Sequence, residues 1–133
     1  MFRETRDSTQ YRLGDLQLAI MRVLWHRGEA AVSEVHAALH EERGLAPTTV
    51  ATMLTKLEKK GAVTHRKESR KFIYAPRISE SEVRQSMVAE LKNRLFHGNT
   101  TAFVSHLLAE HDLDPKELER LKAAITAKEE ESC

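Results

Sequence analysis

The chain has 133 residues and a formal net charge of +1 at pH 7, with 41% hydrophobic and 31% charged residues. This composition is typical of a soluble globular protein of one or two small domains, and it argues against membrane insertion, since no apolar run approaches the roughly 20 residues of a membrane helix. No secretory signal is visible and Cys133 is the single cysteine, so we expect no internal disulfide and a cytoplasmic location.

The charge is divided unevenly along the chain. Residues 1–77 carry 14 Lys and Arg against 9 Asp and Glu, a balance of +5. Residues 78–133 carry 7 against 11, a balance of −4. We therefore predict two domains, 1–77 and 78–133, of which the first faces a polyanion.

Two amphipathic helices are predicted before residue 45. The first spans residues 15–27, with Trp25 as a packing residue at the edge of a buried stripe formed by Leu16, Ile20, Val23 and Leu24. The second begins with Ser33 as its N-cap and ends at Gly44. Its inward positions are predicted to be Val35, Ala38 and Leu39.

The stretch from Pro47 to Pro76 is the most informative part of the chain. Pro47 suits the first position of a helix, Gly61 suits its end, and the apolar stripe consists of Val50, Met53, Leu54 and Leu57. The opposite face is small, hydroxylic and basic, which suits the DNA major groove, and it comprises Thr48, Thr52, Thr55 and Lys59. Residues 63–67 and 71–75 alternate around a turn at 68–70, so they predict a hairpin that forms the wing of a helix-turn-helix unit.

We expect DNA contacts from both the helix and the wing. The expected contacts of the helix with bases and phosphates are Thr48, Thr49, Ala51, Thr52, Thr55, Lys56, Lys59 and Lys60. The wing is expected to reach flanking phosphates or the minor groove through Arg66, Lys67, Arg70 and Lys71. Further phosphate contacts would come from an ordered N-terminal arm carrying Arg3, Arg6 and Arg12.

Other functions fit the sequence less well. A solvated helix and hairpin without a ligand is one alternative, and a winged-helix adaptor that binds proteins without specific DNA is another, because fold alone does not decide function. An adaptor would tolerate carboxylates or bulky apolar residues on the helix face where this chain has threonines and a lysine. The sequence contains neither a glycine-rich phosphate-binding loop nor a nucleophile motif, so an enzyme is not predicted. His36 and His40 have the spacing of two metal ligands, but no third ligand matches, so neither a metal nor a cofactor is predicted.

Three further helices are predicted after residue 78. The first follows a capping box of Ser79 and Glu82, the second spans about residues 101–109, and the third begins at Asp114. Alone they could bury little apolar surface, whereas two copies could cover each other's stripes, so we predict a homodimer; the alternative is a subdomain packed on its own chain. The expected dimerisation residues are Val83, Met87, Leu91, Leu95, Phe103, Leu107, Leu118, Leu121 and Ile125.

The order of these features resembles the penicillinase-repressor family of winged-helix transcriptional regulators. The resemblance covers about residues 12–127 and rests on LGDLQLAIMRVLW from Leu13, PTTVATMLTKLEKKG from Pro47, and FIYAP at the end of the wing. It implies a mainly α fold with a small β-hairpin, in which a winged helix-turn-helix DNA-binding domain precedes a helical dimerisation region. It also implies a homodimeric repressor of an antibiotic-response or stress operon, bound to double-stranded operator DNA with inverted half-sites similar to TACA and TGTA.

The two inducer routes of that family are not matched by this sequence. In the β-lactam branch, a membrane sensor leads to cleavage of an Asn-Phe bond, and the corresponding position here is His106-Leu107. In the copper branch, a pair of C-x-C motifs binds the metal, whereas this chain has Cys133 alone. The resemblance implies an upstream membrane sensor or protease as a partner, and the sequence does not specify the release signal.

Overall fold

The structure is a computed structural model that describes residues 13–132, so Arg3, Arg6, Arg12 and Cys133 lie outside the described residues. Within that range the elements follow the order α1 (Asp15–Arg27), β1 (Ala30–Ala31), α2 (Val32–Arg43), α3 (Pro47–Lys59), β2 (Val63–Glu68), β3 (Lys71–Pro76), α4 (Glu80–Phe96), α5 (Thr100–Glu110) and α6 (Pro115–Ser132). The predicted fold, mainly helical with a small hairpin, is confirmed. None of the described helices is long and apolar enough to cross a membrane.

The start of α2 differs from the prediction. Ser33 is not the N-cap, because the helix begins at Val32 and the N-cap is Ala31. Ala31 has no side-chain acceptor, but its N–H donates to the Glu34 carboxylate at 2.7 Å, which satisfies one of the donors at this end of the helix. Ala38 was also assigned incorrectly, since it is exposed while Val35 and Leu39 are buried.

A third strand, β1, was not predicted from the sequence. It consists of two residues that pair antiparallel with β3, Ala30 opposite Tyr74 and Ala31 opposite Ile73. The sheet order is therefore β1-β3-β2, with the wing strand β3 in the centre. Two alanines are too short a segment for the alternation that identifies a strand.

The first three helices and the sheet enclose one hydrophobic core. Its fully buried side chains include Ile20, Leu24, Val35, Val50, Leu54 and Leu57, which confirms these members of the predicted stripes, and also Met21, which was not predicted. The predicted Leu16, Val23 and Met53 are partly buried against this core. Each fully buried side chain contributes roughly 1.5–3 kcal/mol through removal from water. Trp25 packs against this core and its Nε1 donates to the Ile78 carbonyl at 2.9 Å, so the packing role predicted for the indole is confirmed.

The chain divides into two compact units, one ending at Leu91 and the other beginning at Lys92. The first half of α4 belongs to the first unit, because Val83 is 2% exposed in its core and Met87 packs against that core. Val83 is therefore a core residue of its own chain and not a dimerisation residue, which corrects the prediction. The functional boundary at residues 77 and 78 stays a prediction, since packing continues past it into α4.

The second unit contains α5 and α6, whose described residues include none that is buried. Both helices have regular starts: the Asn99 side chain accepts from the Ala102 N–H at 2.9 Å, and Asp114 forms the predicted capping box with Glu117. These caps fix where the helices begin, but they do not provide a core. Phe96, Phe103 and Leu113 are half-buried in this unit, and its other large apolar side chains are exposed, among them Leu95, Val104, Leu107, Leu108, Leu118, Leu121 and Ile125.

Candidate DNA interface

The exposed face of α3 is the centre of the candidate interface. Val50, Leu54 and Leu57 are fully buried beneath it, so the rotation of the helix about its axis is fixed by the core. This rotation leaves the outward positions Thr48, Thr52, Thr55, Lys56 and Lys59 exposed, with Thr49 and Ala51 half-buried beside them. The structure thus exposes the face that the sequence assigned to DNA, and its contacts with bases stay a prediction.

The start of α3 has no side-chain cap and no acidic residue in its first turn. Pro47 occupies the first turn, and the N-cap residue is Ala46. Since the helix dipole is positive at this end, the arrangement suits an anion such as a DNA phosphate. Turn residues before the helix are held in place by His36, whose Nε2 donates to the Leu45 carbonyl at 2.7 Å.

This hydrogen bond gives His36 a structural role that sequence reasoning missed. The ring of His40 lies 5.3 Å from that of His36, as their spacing on one helix face requires. Within residues 13–132, no group of three or more His, Cys, Asp or Glu side chains is placed to hold a metal ion. His36 stabilises the turn between α2 and α3 through its hydrogen bond with the Leu45 carbonyl.

The wing ends in a two-residue turn, Ser69-Arg70, at φ of +54° and +85°. The predicted three-residue turn at 68–70 is corrected, because Glu68 pairs with Lys71 in the strand register. Two central residues with positive φ are typical of the type I′ turn, whose twist matches that of the strands. The turn places Arg70 at the tip of the wing.

The cations of the wing are divided between its two faces. Side chains alternate along a strand, so the pair Lys67 and Phe72 shares a face with His65 and with Tyr74, which is only 5% exposed. Arg66 and Lys71 belong to the opposite face. The sequence predicts these basic residues as one group of DNA contacts, whereas the strand pairing separates Lys67 from Arg66 and Lys71.

Arg66 is already bound within the chain. Its guanidinium donates to both Glu29 carboxylate oxygens, at 2.6 and 3.1 Å, and to Glu68 at 3.1 Å. The hydrogen bond with Arg66 lowers the pKa of the Glu29 carboxyl, and the two carboxylates raise the pKa of Arg66 above its ordinary value. The predicted phosphate contact of Arg66 would therefore have to displace these partners.

The other predicted cations differ from Arg66 in this respect. Lys60 donates to the Gln17 side chain at 3.0 Å. No hydrogen bond or ion pair within the described part of the chain engages the remaining exposed cations Lys56, Lys59, Lys67, Arg70 and Lys71. These five are the basic side chains best placed to meet a polyanion.

Glu58 and His65, which are not among the predicted DNA contacts, connect α3 to the wing, close to Thr55. The Thr55 hydroxyl donates to the Ala51 carbonyl at 3.1 Å, which reduces its availability as the base contact predicted from the sequence. Nearby, His65 Nδ1 donates to both oxygens of Glu58, each at 2.8 Å. Glu58 could have been noticed from its position three residues after Thr55, which places both on one flank of the helix.

Comparison with known proteins identifies the family. The sequence profile described as penicillinase repressor matches residues 13–127. The chain is 33% identical over 110 residues to the penicillinase repressor of Bacillus licheniformis, covering 83% of this chain and 86% of that one. It is 38% identical over 116 residues to the transcriptional regulator BlaI of Mycobacterium tuberculosis, covering 86% of this chain and 83% of that one.

A solved structure gives a further comparison, for the fold alone. The YusO protein of Bacillus subtilis has a TM-score of 0.54 and 19% identity, and the match covers 96% of this chain and 82% of that one. Together with the profile match and the two relatives, the winged-helix architecture and the exposed basic face of α3 lead to one conclusion: the chain belongs to the penicillinase-repressor family of DNA-binding transcriptional repressors.

Proposed function

We propose that this repressor acts as a homodimer on an inverted-repeat operator, with α3 of each protomer in the major groove. The observation that carries this proposal is the exposed face of α3, where threonines, Lys56 and Lys59 lie opposite the fully buried Val50, Leu54 and Leu57. A helix held rigidly by the core and presenting short hydrogen-bonding side chains can read base edges. The neighbouring cations supply sequence-independent attraction to the phosphates.

Within α3, different residues have different proposed roles. Thr48, Thr49 and Thr52 reach base edges or adjacent phosphates, and Ala51 meets a thymine methyl group. The uncapped start of the helix directs its N–H groups at a phosphate. Lys56, Lys59 and Lys60 contact the backbone farther along the helix, which holds it in register.

The wing supplies the flanking contacts. Arg70 at the turn and Lys71 at the start of β3 are exposed and carry no ion pair within residues 13–132. Lys67 is equally exposed but belongs to the other wing face. These cations contact phosphates beside the groove that α3 enters, or the adjacent minor groove, and so contribute affinity without sequence preference.

A second copy of the chain covers the exposed apolar side chains of α4–α6. Leu95 is 63% exposed and Leu121 and Ile125 are exposed on α6, although a helix of this amphipathic kind ordinarily buries its stripe. Two-fold pairing would bury these stripes against each other and would present two α3 helices to the two halves of a palindrome. The family's association with penicillinase supports control of an antibiotic-response operon, with an upstream membrane sensor or protease as a further partner.

Selection from a random duplex pool tests this function. The full chain is incubated with duplexes containing a randomised central segment, and bound DNA is recovered, amplified and sequenced over several rounds. We expect enrichment of an inverted repeat whose half-sites lie about one helical turn apart. A matched selection with Thr52→Ala should give a less defined half-site. No enrichment, or enrichment of sequences without two-fold symmetry, would contradict the proposal.

A further inference from the structure

A set of side chains joins the recognition helix α3 to the wing outside the backbone connection at residues 60–62. Glu58 and Thr55 come from α3, His65 from β2, and Tyr74 and Phe72 from β3. His65 is the central member, because it contacts Glu58 through a hydrogen bond and both aromatic rings through its imidazole. The set thus bridges the two elements proposed to touch DNA.

The polar link is well defined. His65 Nδ1 lies 2.8 Å from each Glu58 oxygen, and because an ionised carboxylate can only accept, Nδ1 carries the proton. Both side chains are about one-third exposed, at 34% each, so the pair lies at the edge of the core and not in open solvent. One imidazole thereby fixes the position of β2 relative to the last turn of α3.

The same imidazole also contacts two aromatic rings of β3. The His65 ring centroid lies 4.9 Å from that of Phe72 and 5.3 Å from that of Tyr74. Tyr74 is anchored in the core, and burial together with the Glu58 carboxylate raises its pKa, while a hydrogen bond with Thr55 acts in the opposite direction. Phe72, in contrast, is 46% exposed, so the stack extends from the core towards the outer part of the wing.

The position of Glu58 is unexpected for a DNA-binding surface. It stands on the recognition helix between Lys56 and Lys59, where a solvated carboxylate would repel the phosphates that these lysines attract. Its benefit must therefore come from an interaction within the protein. The hydrogen bonds with His65 are the interaction that the structure provides.

We infer that Glu58 and His65 form a clamp that sets the angle of the wing to α3, so that wing cations and α3 engage the same operator together. The clamp consists of Glu58, His65 and the ring of Phe72, and it acts through the wing without reading bases. Glu58 and His65 are thus positioning residues. This inference rests on the proposed function, because the clamp has a consequence only if both elements meet DNA.

The direction in which DNA affinity changes on Glu58→Ala distinguishes a clamp from a solvated charge. Glu58→Ala removes a negative charge beside DNA, so a carboxylate without a positioning role would give tighter binding on substitution. For a clamp, affinity for the duplex enriched from the random pool should fall roughly three- to tenfold. The slope of log K against log salt should also become shallower by about 1–2, as each misplaced wing loses about one phosphate contact.

Four further variants make the test specific. His65→Ala should weaken binding as Glu58→Ala does, and the double variant should be no weaker than either single one, since both substitutions remove the same link. Glu58→Gln keeps an acceptor for His65 and should retain most of the affinity. Glu41→Ala, which removes an exposed carboxylate of α2 without a partner in residues 13–132, should change affinity less than about twofold.

The outcomes distinguish the clamp from the proposed function. If the unaltered chain does not distinguish the enriched duplex from a scrambled duplex, the proposed function fails and the clamp fails with it. If the unaltered chain binds specifically but Glu58→Ala binds as tightly or more tightly, the clamp alone is overturned. Circular dichroism of each variant checks folding. Glu58→Gln also removes the negative charge but keeps nearly the same shape, so tighter binding by this variant would likewise indicate a solvated charge and not a clamp.

Discussion

The winged-helix unit buries its apolar side chains within one chain, whereas the C-terminal helices leave most of theirs exposed. In the first unit, α1–α3, the sheet and the start of α4 share a closed core with seven or more fully buried large side chains, such as Ile20 and Leu54. In α5 and α6, no described residue is buried, although both helices carry apolar stripes and well-formed caps. A helix cap forms between residues a few positions apart, whereas a hydrophobic core requires several helices or strands that pack together.

The two units therefore depend on a partner to different degrees. The core that fixes the rotation of α3 lies within the first unit, so the face proposed to contact DNA is defined in a single protomer. The second unit leaves Leu107, Leu121 and Ile125 exposed. Contact of this apolar surface with water is unfavourable, and burial against a partner surface would remove that contact. We therefore expect substitutions in the second unit to affect assembly first and DNA binding through it.

The largest effect is expected from a charge placed on the apolar stripe of α6. Leu121→Asp would bury a carboxylate without a partner in the proposed dimer contact, which costs about 3–5 kcal/mol. Sedimentation velocity should then show monomers at concentrations where the unaltered chain is a dimer. Operator affinity should fall steeply, because each half-site is bound weakly alone.

A neighbouring substitution controls for the added charge. Ala123→Asp introduces the same carboxylate into the same helix, about 200° around its axis from Leu121. It should leave the dimer intact. Dissociation by both variants alike would indicate that any added charge destabilises α6, and a dimer that survives Leu121→Asp would place the interface elsewhere.

A smaller effect should distinguish base reading from phosphate binding. Thr52→Ala should cost on the order of 1 kcal/mol on the operator and reduce the preference over scrambled DNA. Lys71→Ala should weaken binding to both duplexes alike and reduce the salt slope by about 0.9 per protomer. Fluorescence anisotropy on the two duplexes measures both quantities. A loss of preference in Lys71→Ala with none in Thr52→Ala would reverse these roles.

A still smaller effect is expected at Arg66. Because its guanidinium is bound to Glu29 and Glu68, Arg66→Ala should change affinity by less than roughly twofold and leave the salt slope nearly unchanged. Arg70→Ala is the matched comparison, because Arg70 lies at the tip of the same wing without an ion pair in residues 13–132, and it should reduce both. An equal or larger loss at Arg66 would mean that DNA displaces the two carboxylates.

Much of the fold could be predicted from the sequence because its signals are local. The bounds of α1 and the start of α3 follow from apolar spacing and from Pro47, and the Ser79 capping box marks α4. The start of α2 could not be predicted, because its N-cap is an alanine held by a reaching Glu34 side chain. Val83 looked like part of an external stripe, and only the tertiary packing of α4 reveals it as core.

The candidate site shows the same limit. The face of α3 could be assigned from residue spacing, since 100° per residue separates Thr52 from Val50 and Leu54. The sequence could not show which cations have a partner within the protein. Arg66, for example, donates to Glu29, which lies 37 positions away and is brought beside the wing by β1. The Glu58–His65 contact likewise depends on how the hairpin folds back on α3.

No proteolytic cleavage is expected at the bond between His106 and Leu107. Both residues lie within α5, and they replace the Asn-Phe pair of the β-lactam branch that the family resemblance implies. A protease pocket shaped for an aromatic side chain would select against Leu107 by a few kcal/mol. Mass spectrometry of the repressor from β-lactam-treated cells should show no fragment ending at His106. Such a fragment would restore the proteolytic route.

Whether two copies bind one palindrome can be measured by comparing a full operator with a single half-site in anisotropy titrations at several salt concentrations. We expect two chains on the full duplex, much tighter binding to it than to the half-site, and a slope of log K against log salt of about −4 to −8. Equal affinity for the full and half sites, one chain per full duplex, or a flat salt response would rule out dimeric operator binding.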